Sequence, residues 1–154
     1  MVVIRGALYT INRMLAEIER TKPDIIIVGS QSQTIHYNTR NLAFYSVHNT
    51  ELLLGSEPDG VILVVNFDDP YEYIKRTINY IQSIQETTVI ALVVYPINKD
   101  TKWSVLGSYS STCNIEELIN FQKEIYKETG KKCFIANEDK NIKLVTEEII
   151  SFFC

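Results

Sequence analysis

The chain lacks the two glycine-rich motifs with which many α/β proteins bind nucleotide phosphates. The P-loop pattern G-x-x-x-x-G-K-[ST] requires a lysine followed by serine or threonine, and no lysine in this chain has that neighbour. The dinucleotide pattern G-x-G-x-x-G is also missing, because the six glycines lie far apart. The 154 residues therefore contain no recognisable phosphate-binding loop.

Cysteines are few, long apolar runs are missing, and charge of one sign is not concentrated anywhere. Cys113, Cys133 and Cys154 are odd in number and have no C-x-x-C spacing, which favours neither a disulfide framework nor a zinc site. No run approaches the roughly 20 apolar residues of a membrane span, and residues 1–7 do not resemble a secretory signal. The net charge of −4 is spread along the chain. We therefore expect a cytoplasmic protein without a bound metal, a nucleic-acid partner or a membrane partner.

Four short apolar runs alternate with amphipathic helical segments. The runs cover residues 25–29, 61–66, 89–95 and 133–136. This alternation predicts an α/β fold with a three-layer, mainly parallel four-stranded sheet and helices on both faces. The topology would be Rossmann-like or P-loop-like with the phosphate loop absent. We expect one domain over residues 1–154, which could also form the C-terminal part of a longer protein.

Local signals predict several helix boundaries. A first helix is expected over about residues 6–21, and a short capped helix from Thr50. Asp68 or Asp69 can cap a helix whose first residue is Pro70. Asn114 and Glu117 form a capping box for another helix, which Gly130 ends. A terminal helix is expected from Asn141.

Polar residues follow each predicted strand. The carboxyl ends of parallel strands meet at one edge of the sheet, where ligands of open α/β sheets bind. The predicted ligand-binding residues at this edge are Gly29, Ser30, Gln31, Asn66, Asp68, Asp69, Asn98, Lys99 and Asp100, with Ser32, Asn137, Glu138 and Asp139 beside them. Asp68 and Asp69 could bind Mg²⁺, but an N-cap with an acidic first turn is the favoured interpretation.

Two further groups of residues are candidates for chemistry or recognition. Asn98, Lys99 and Asp100 resemble the guanine-binding Asn-Lys-x-Asp element, but the fourth position is Thr101, so a surface turn is favoured. His36 and His48 could act as a general base, although no hydrolase signature accompanies them. Trp103 and Tyr109 are predicted to contribute to a partner surface.

Several strand and loop segments resemble a known family. IIIVG at 25–29, PDGVILVVN at 58–66, YIKRTI at 73–78 and ALVVYPIN at 91–98 look like the carboxyl-terminal half of an uncharacterised peptide-maturation-system family. Its members accompany radical SAM enzymes in gene clusters for ribosomally made peptides. More distantly, the same segments are similar to P-loop NTPases of the deviant-Walker, partition and signal-recognition type. Neither resemblance assigns a catalytic residue.

The resemblance implies a non-catalytic accessory or binding domain in ribosomal peptide maturation, with a peptide or a peptide-maturation enzyme as partner. A homo-oligomer is also possible. No cofactor is evident, and a Mg-nucleotide is expected only if a P-loop lies upstream. One alternative is the C-terminal half of a P-loop NTPase. Another is a small-molecule hydrolase or transferase that uses His36 or His48 with Asp68.

Overall fold

The computed structural model describes residues 2–30, 33–35, 47–67, 69–99, 110–136 and 139–154, with the backbone alone for 2–5, 97–99, 110–112 and 139. The described elements, in chain order, are α1 (Val2–Glu19), α2 (Val47–Ser56), β1 (Gly60–Asn66), α3 (Tyr71–Ile84), β2 (Thr88–Tyr95), β3 (Ile97–Lys99), β4 (Ser110–Thr112), α4 (Ile115–Thr129), β5 (Cys133–Ile135) and α5 (Asp139–Phe153). They group into two compact units. Unit one contains residues 1–59 and 79–87, and unit two contains residues 60–78 and 88–154. The expectation of a single domain stays a prediction.

Unit one is built around α1 and α2, which pack against each other. The half-buried residues of α1 include Leu8, Ile11 and Leu15, which recur at the predicted helical spacing. Gly55 on α2 allows close approach, because a Cβ atom there would lie 3.0 Å from Cβ of Ile11. Both helices begin before their predicted first residues. Helix boundaries are less exact in sequence patterns than in hydrogen-bonded structure.

Residues 25–29 do not form a strand in the structure, so the prediction of a central strand there is wrong. The side chains of Ile25, Ile27 and Val28 are exposed, and that of Ile27 is 86% accessible. β-branched residues fit a pleated sheet, but a strand exists only where a neighbouring strand accepts and donates its hydrogen bonds. The sequence pattern at 25–29 makes these residues suitable for a strand, but it does not provide the neighbouring strand with which they would pair.

Unit two contains a three-stranded parallel sheet in the order β1-β2-β5. Val65 is paired with Val94 across the first interface, and Leu92 is paired with Cys133 across the second. The register between β1 and β2 shifts after Val61. These strands match three of the four predicted runs, and the α/β class with a parallel sheet is confirmed.

Helices of unit two pack against this sheet. Leu63, Val65, Leu92 and Val94 are buried, together with apolar residues from α4 and from the first half of α3. α5 also packs against β2 and β5. The apolar side chains buried beneath α3 and α4 are Ile74, Ile78, Leu118, Phe121 and Ile125. The core of unit two therefore lies mainly between the sheet and these two helices.

Both ends of α4 are where the sequence predicts them. The Asn114 side chain accepts a hydrogen bond from the backbone N–H of Glu116 at 2.9 Å. Gly130 follows the last turn with a φ of 66°, and its N–H donates to the Tyr126 carbonyl at 2.8 Å. A left-handed residue is tolerated best as glycine, so this position ends the helix at low cost.

Residues 97–99 form β3, which pairs antiparallel with β4. Asn98 is opposite Ser111, and Lys99 is opposite Ser110. The interpretation of Asn98 and Lys99 as a surface turn is therefore wrong. The partner strand comes from a segment of small polar residues that had no strand pattern of its own, so local sequence could not indicate the pairing.

Candidate functional site

Asn66 and Asp69 form a hydrogen-bonded turn at the carboxyl end of β1. The Asp69 carboxylate accepts from the Asn66 backbone N–H at 2.8 Å and from the Asn66 side-chain amide at 3.1 and 3.3 Å. The Asp69 N–H donates to the Asn66 carbonyl at 3.2 Å. Asp69 is buried. Its carboxylate thus stabilises the exit from the strand, directly before Pro70 and α3.

The structure brings together only part of the predicted ligand-binding edge. Asn66 and Asp69 are in contact, and β3, which carries Asn98 and Lys99, lies close to β1. Gly29 and Ser30 belong to unit one and do not follow a strand, so they are not at the carboxyl end of a strand as predicted. The remaining predicted site residues lie outside the described part of the chain: Gln31, Ser32, His36, Asp68, Asp100, Trp103, Tyr109, Asn137 and Glu138. Of Asp139, only the backbone is described.

A polar cluster at the start of α2 was not predicted as a unit. The Ser30 hydroxyl donates to the Asn49 side-chain oxygen, and the Thr50 and Tyr80 hydroxyls are 2.7 Å apart. Asn49 and Glu51 are buried, which is uncommon for these residue types. The sequence signal was present in the run of polar residues from His48 to Glu51. It could not be interpreted without the contacts to Ser30 and Tyr80, which lie far away in sequence.

His48 and Glu51 form the one described pair with the character of an acid–base site. Nδ1 of His48 is 3.2 Å from Oε2 of Glu51, and the imidazole is exposed whereas the carboxylate is buried. The contact holds one ring nitrogen of His48 against the carboxylate, while the rest of the exposed ring faces solvent. The same orientation of imidazole by a carboxylate occurs in catalytic triads. The carboxylate partner of His48 in the sequence-based hypothesis was Asp68.

A second cluster, of aromatic and charged residues, joins α3 to α4. The rings of Phe67 and Tyr71 lie 5.3 and 5.5 Å from that of Phe121. Burial raises the pKa of Tyr71, and the nearby carboxylates of Glu124 and Glu128 raise it further. The cluster buries aromatic area beside the Asn66 turn, so it contributes to packing at this end of the sheet.

Lys75 connects the same two helices through charge. Its ammonium group is 2.6 Å from Glu72 and 3.0 Å from Glu128. These contacts raise the pKa of Lys75, and the Lys75 contact lowers the pKa of Glu128. Because Glu72 and Glu128 are both accessible to water, these two ion pairs add little to the free energy of unfolding.

Comparisons with protein-family models, with curated proteins and with solved structures returned no match.

Within the described residues, no group of three or more His, Cys, Asp or Glu side chains could hold a metal ion. Burial raises the pKa of the Cys133 thiol to about 12, so this cysteine is almost entirely protonated at neutral pH. Every described helix is too short or too polar to serve as a membrane span.

Proposed function

We propose that this chain is a non-catalytic accessory or binding domain in ribosomal peptide maturation. Its partner is a peptide or a peptide-maturation enzyme in the cytoplasm. In this proposal, the scaffold of the protein is a degenerate nucleotide-binding α/β fold. The finer feature of this fold, a Rossmann-like topology, belongs to the proposal and not to the observed sheet.

The observation that carries the proposal is the apolar surface of unit one. Among its described residues, Ile81 is the one buried hydrophobic side chain, whereas Met14 is 58% exposed and Ile25, Ile27 and Val28 are also exposed. Ile25, Ile27 and Val28 follow one another along a single segment, and exposed apolar residues grouped in this way are typical of interaction surfaces. A surface of this kind favours protein or peptide binding over a polar small-molecule site.

The geometry of the Asn66 turn supports the expectation that no cofactor is needed. The Asp69 carboxylate accepts hydrogen bonds from two donor groups of Asn66, its backbone N–H and its side-chain amide, and Asp69 is buried. A cation or phosphate ligand there would have to displace these contacts, which also position the start of α3. In this proposal, a Mg-nucleotide binds only if a P-loop outside this chain completes the site.

Calorimetry would test the proposal with two probes from the source genome, a radical SAM enzyme of peptide maturation and the precursor peptide of that enzyme. We expect at least one of them to bind. Ile27→Ser combined with Val28→Ser should weaken that binding at least tenfold, because it removes exposed apolar contact area. Ile115→Ser, which changes an exposed isoleucine of unit two, is the matched control. Absence of binding by either probe would contradict the proposal.

A thermal-shift measurement separates this function from that of an NTPase. Mg-ATP and Mg-GTP should leave the melting temperature unchanged, whereas a ligand at about a hundred times its Kd stabilises the native state by about 2.7 kcal/mol. A shift that Asp68→Asn abolishes would favour the alternative of a C-terminal NTPase half.

The His48–Glu51 pair favours a second candidate, a small-molecule hydrolase. The exposed Nε2 atom is positioned to accept a proton from water, and Glu51 orients the ring. If this function holds, His48→Gln and Glu51→Gln should each lower the hydrolysis of p-nitrophenyl acetate at least tenfold. Glu86→Gln, an exposed change in the same unit, is the control. Equal rates for all three variants would exclude the candidate.

A further inference from the structure

The terminal helix α5 has two different sides. One side packs on the rest of unit two and carries Asn141, Glu148 and Phe152, at spacings of seven and four residues. The Asn141 amide donates to the Ile135 carbonyl at 2.9 Å, and Glu148 pairs with Lys132. Phe152 lies against β1, because a Cβ atom on Gly60 would be 3.2 Å from its ring.

The other side is an exposed apolar stripe, which we name the α5 stripe and define as Ile142, Ile150 and Phe153. Ile142 is 63% exposed and Phe153 is 49% exposed. Each stripe residue follows a packed residue by one or two positions. Because consecutive residues of a helix are rotated by roughly 100°, the stripe lies on a different side of α5 from the packed residues. Spacings of eight and three residues keep its members on one side of the helix, as in a helix-pairing seam.

The sheet face beneath α5 is also left open at β1. α5 packs on β2 and β5, and Val64 of β1 is 63% exposed. Val64 shares a face with Gly60, since side chains two and four residues apart in a strand point to the same side. This is the face that meets Phe152. Val64 is therefore a further exposed apolar side chain on this face of the sheet.

Charges on α5 are divided between its two halves. After Asp139, the first residue of α5, the charged residues are Lys140 and Lys143 in the first half and Glu147 and Glu148 in the second. Lys140, Lys143 and Glu147 are exposed, whereas Glu148 pairs with Lys132. If two copies of α5 pair antiparallel, the basic half of each faces the acidic half of the other. Parallel pairing would place like charges together, which is unfavourable.

We propose that the α5 stripe is a self-association surface that binds α5 of a second copy of this chain in antiparallel orientation. The apolar stripe supplies the contact area, and the divided charges determine the orientation. Such a two-fold contact is self-complementary, because the same residues serve both copies. This proposal does not depend on the proposed function of unit one.

Sedimentation equilibrium tests the surface directly. The wild-type chain should dimerise, and Ile142→Ser combined with Phe153→Ser should raise the dimer Kd at least tenfold. Leu144→Ser is the matched control, because Leu144 is also partly exposed but lies on the opposite side of the helix. Circular dichroism checks that each variant is folded. A monomeric wild type at millimolar concentration, or an equal loss with Leu144→Ser, would overturn the proposal.

Charge variants test the contact without removing apolar area. Lys143→Glu makes the exposed flank of α5 acidic, and Glu147→Lys makes it basic. Each variant alone should dimerise at least tenfold more weakly than the wild type, whereas an equimolar mixture should form heterodimers close to wild-type affinity. Unchanged dimerisation of both single variants would contradict the role of charge.

Crosslinking tests the orientation. Lys140→Cys in a Cys113→Ser background leaves the introduced thiol, the buried Cys133 and the exposed Cys154. A short bis-maleimide should join residue 140 of one copy to Cys154 of the other, as peptide mapping can show. Joining of Cys154 to Cys154 would instead indicate parallel pairing and overturn the antiparallel arrangement.

Discussion

At the scale of single residues, Gly60 lies close to Ile90 of the neighbouring strand β2 and to Phe152 of α5. A Cβ atom there would lie 2.5 Å from Cδ1 and 2.9 Å from Cγ1 of Ile90, and 3.2 Å from the Phe152 ring. Gly60→Val should therefore lower the free energy of unfolding by about 1–3 kcal/mol, as is typical of overpacking. Urea denaturation monitored by circular dichroism measures the change.

Gly6→Ala is the control for this effect. No atom lies within 4 Å of the added methyl group, and Gly6 is inside α1. Alanine is the better helix former, so the free energy of unfolding should rise by up to about 1 kcal/mol. Equal stability of Gly60→Val and the wild type would show that Ile90 and Phe152 can move aside at no cost.

The Tyr71 hydroxyl should make stability depend on pH in alkaline solution. Its pKa is raised above 10.0 by burial and by Glu124 and Glu128. The unfolded chain therefore releases this proton at lower pH than the folded chain. The stabilisation is complete below the ordinary tyrosine pKa and is lost as the pH rises through the folded value.

Tyr71→Phe should consequently flatten the fall of the unfolding free energy above about pH 10 relative to the wild type. Urea denaturation at a series of alkaline pH values gives both curves, and the other tyrosines contribute equally to each. Glu124→Gln should reduce the same slope in part, because it removes one of the charges that raise the pKa. Superimposable slopes for all three proteins would contradict the assignment.

At the scale of elements, α4 shows how local signals define a helix. Asn114→Ala removes the acceptor for the Glu116 N–H. The free energy of unfolding should fall by about 0.5–2 kcal/mol, the usual effect of losing an N-cap. Asn120→Ala, an exposed change inside the same helix, should leave stability equal or slightly higher. A similar loss in both variants would argue against capping as the cause.

At the scale of the whole molecule, the two units differ in how much apolar core they contain. The fully buried side chains Ile74, Leu92, Leu118 and Ile125 all belong to unit two. Amide hydrogen exchange should therefore be slower in β2 than in α2, since protection follows buried apolar contacts. Mass spectrometry of peptides covering 88–95 and 47–56 measures it. Equal protection of the two segments would contradict this difference.

Local sequence determined those features whose physical cause lies within a few neighbouring residues. The cap at Asn114, the left-handed Gly130 and the apolar spacing of Ile74, Ile78 and Ile81 all act within one or two turns of helix. The runs at 61–66, 89–95 and 133–136 are strands because each is apolar on both faces and enters a parallel sheet.

Tertiary structure alone decided the pairings between distant segments. Residues 25–29 have the composition of a strand but no strand partner in the described structure, whereas residues 110–112 lack a strand pattern and pair with 97–99. It also decided that Ser30 contacts Asn49, that Thr50 contacts Tyr80 and that one side of α5 stays exposed. Spacing along the chain determines which side chains share a face, but contact between distant residues depends on how the elements pack.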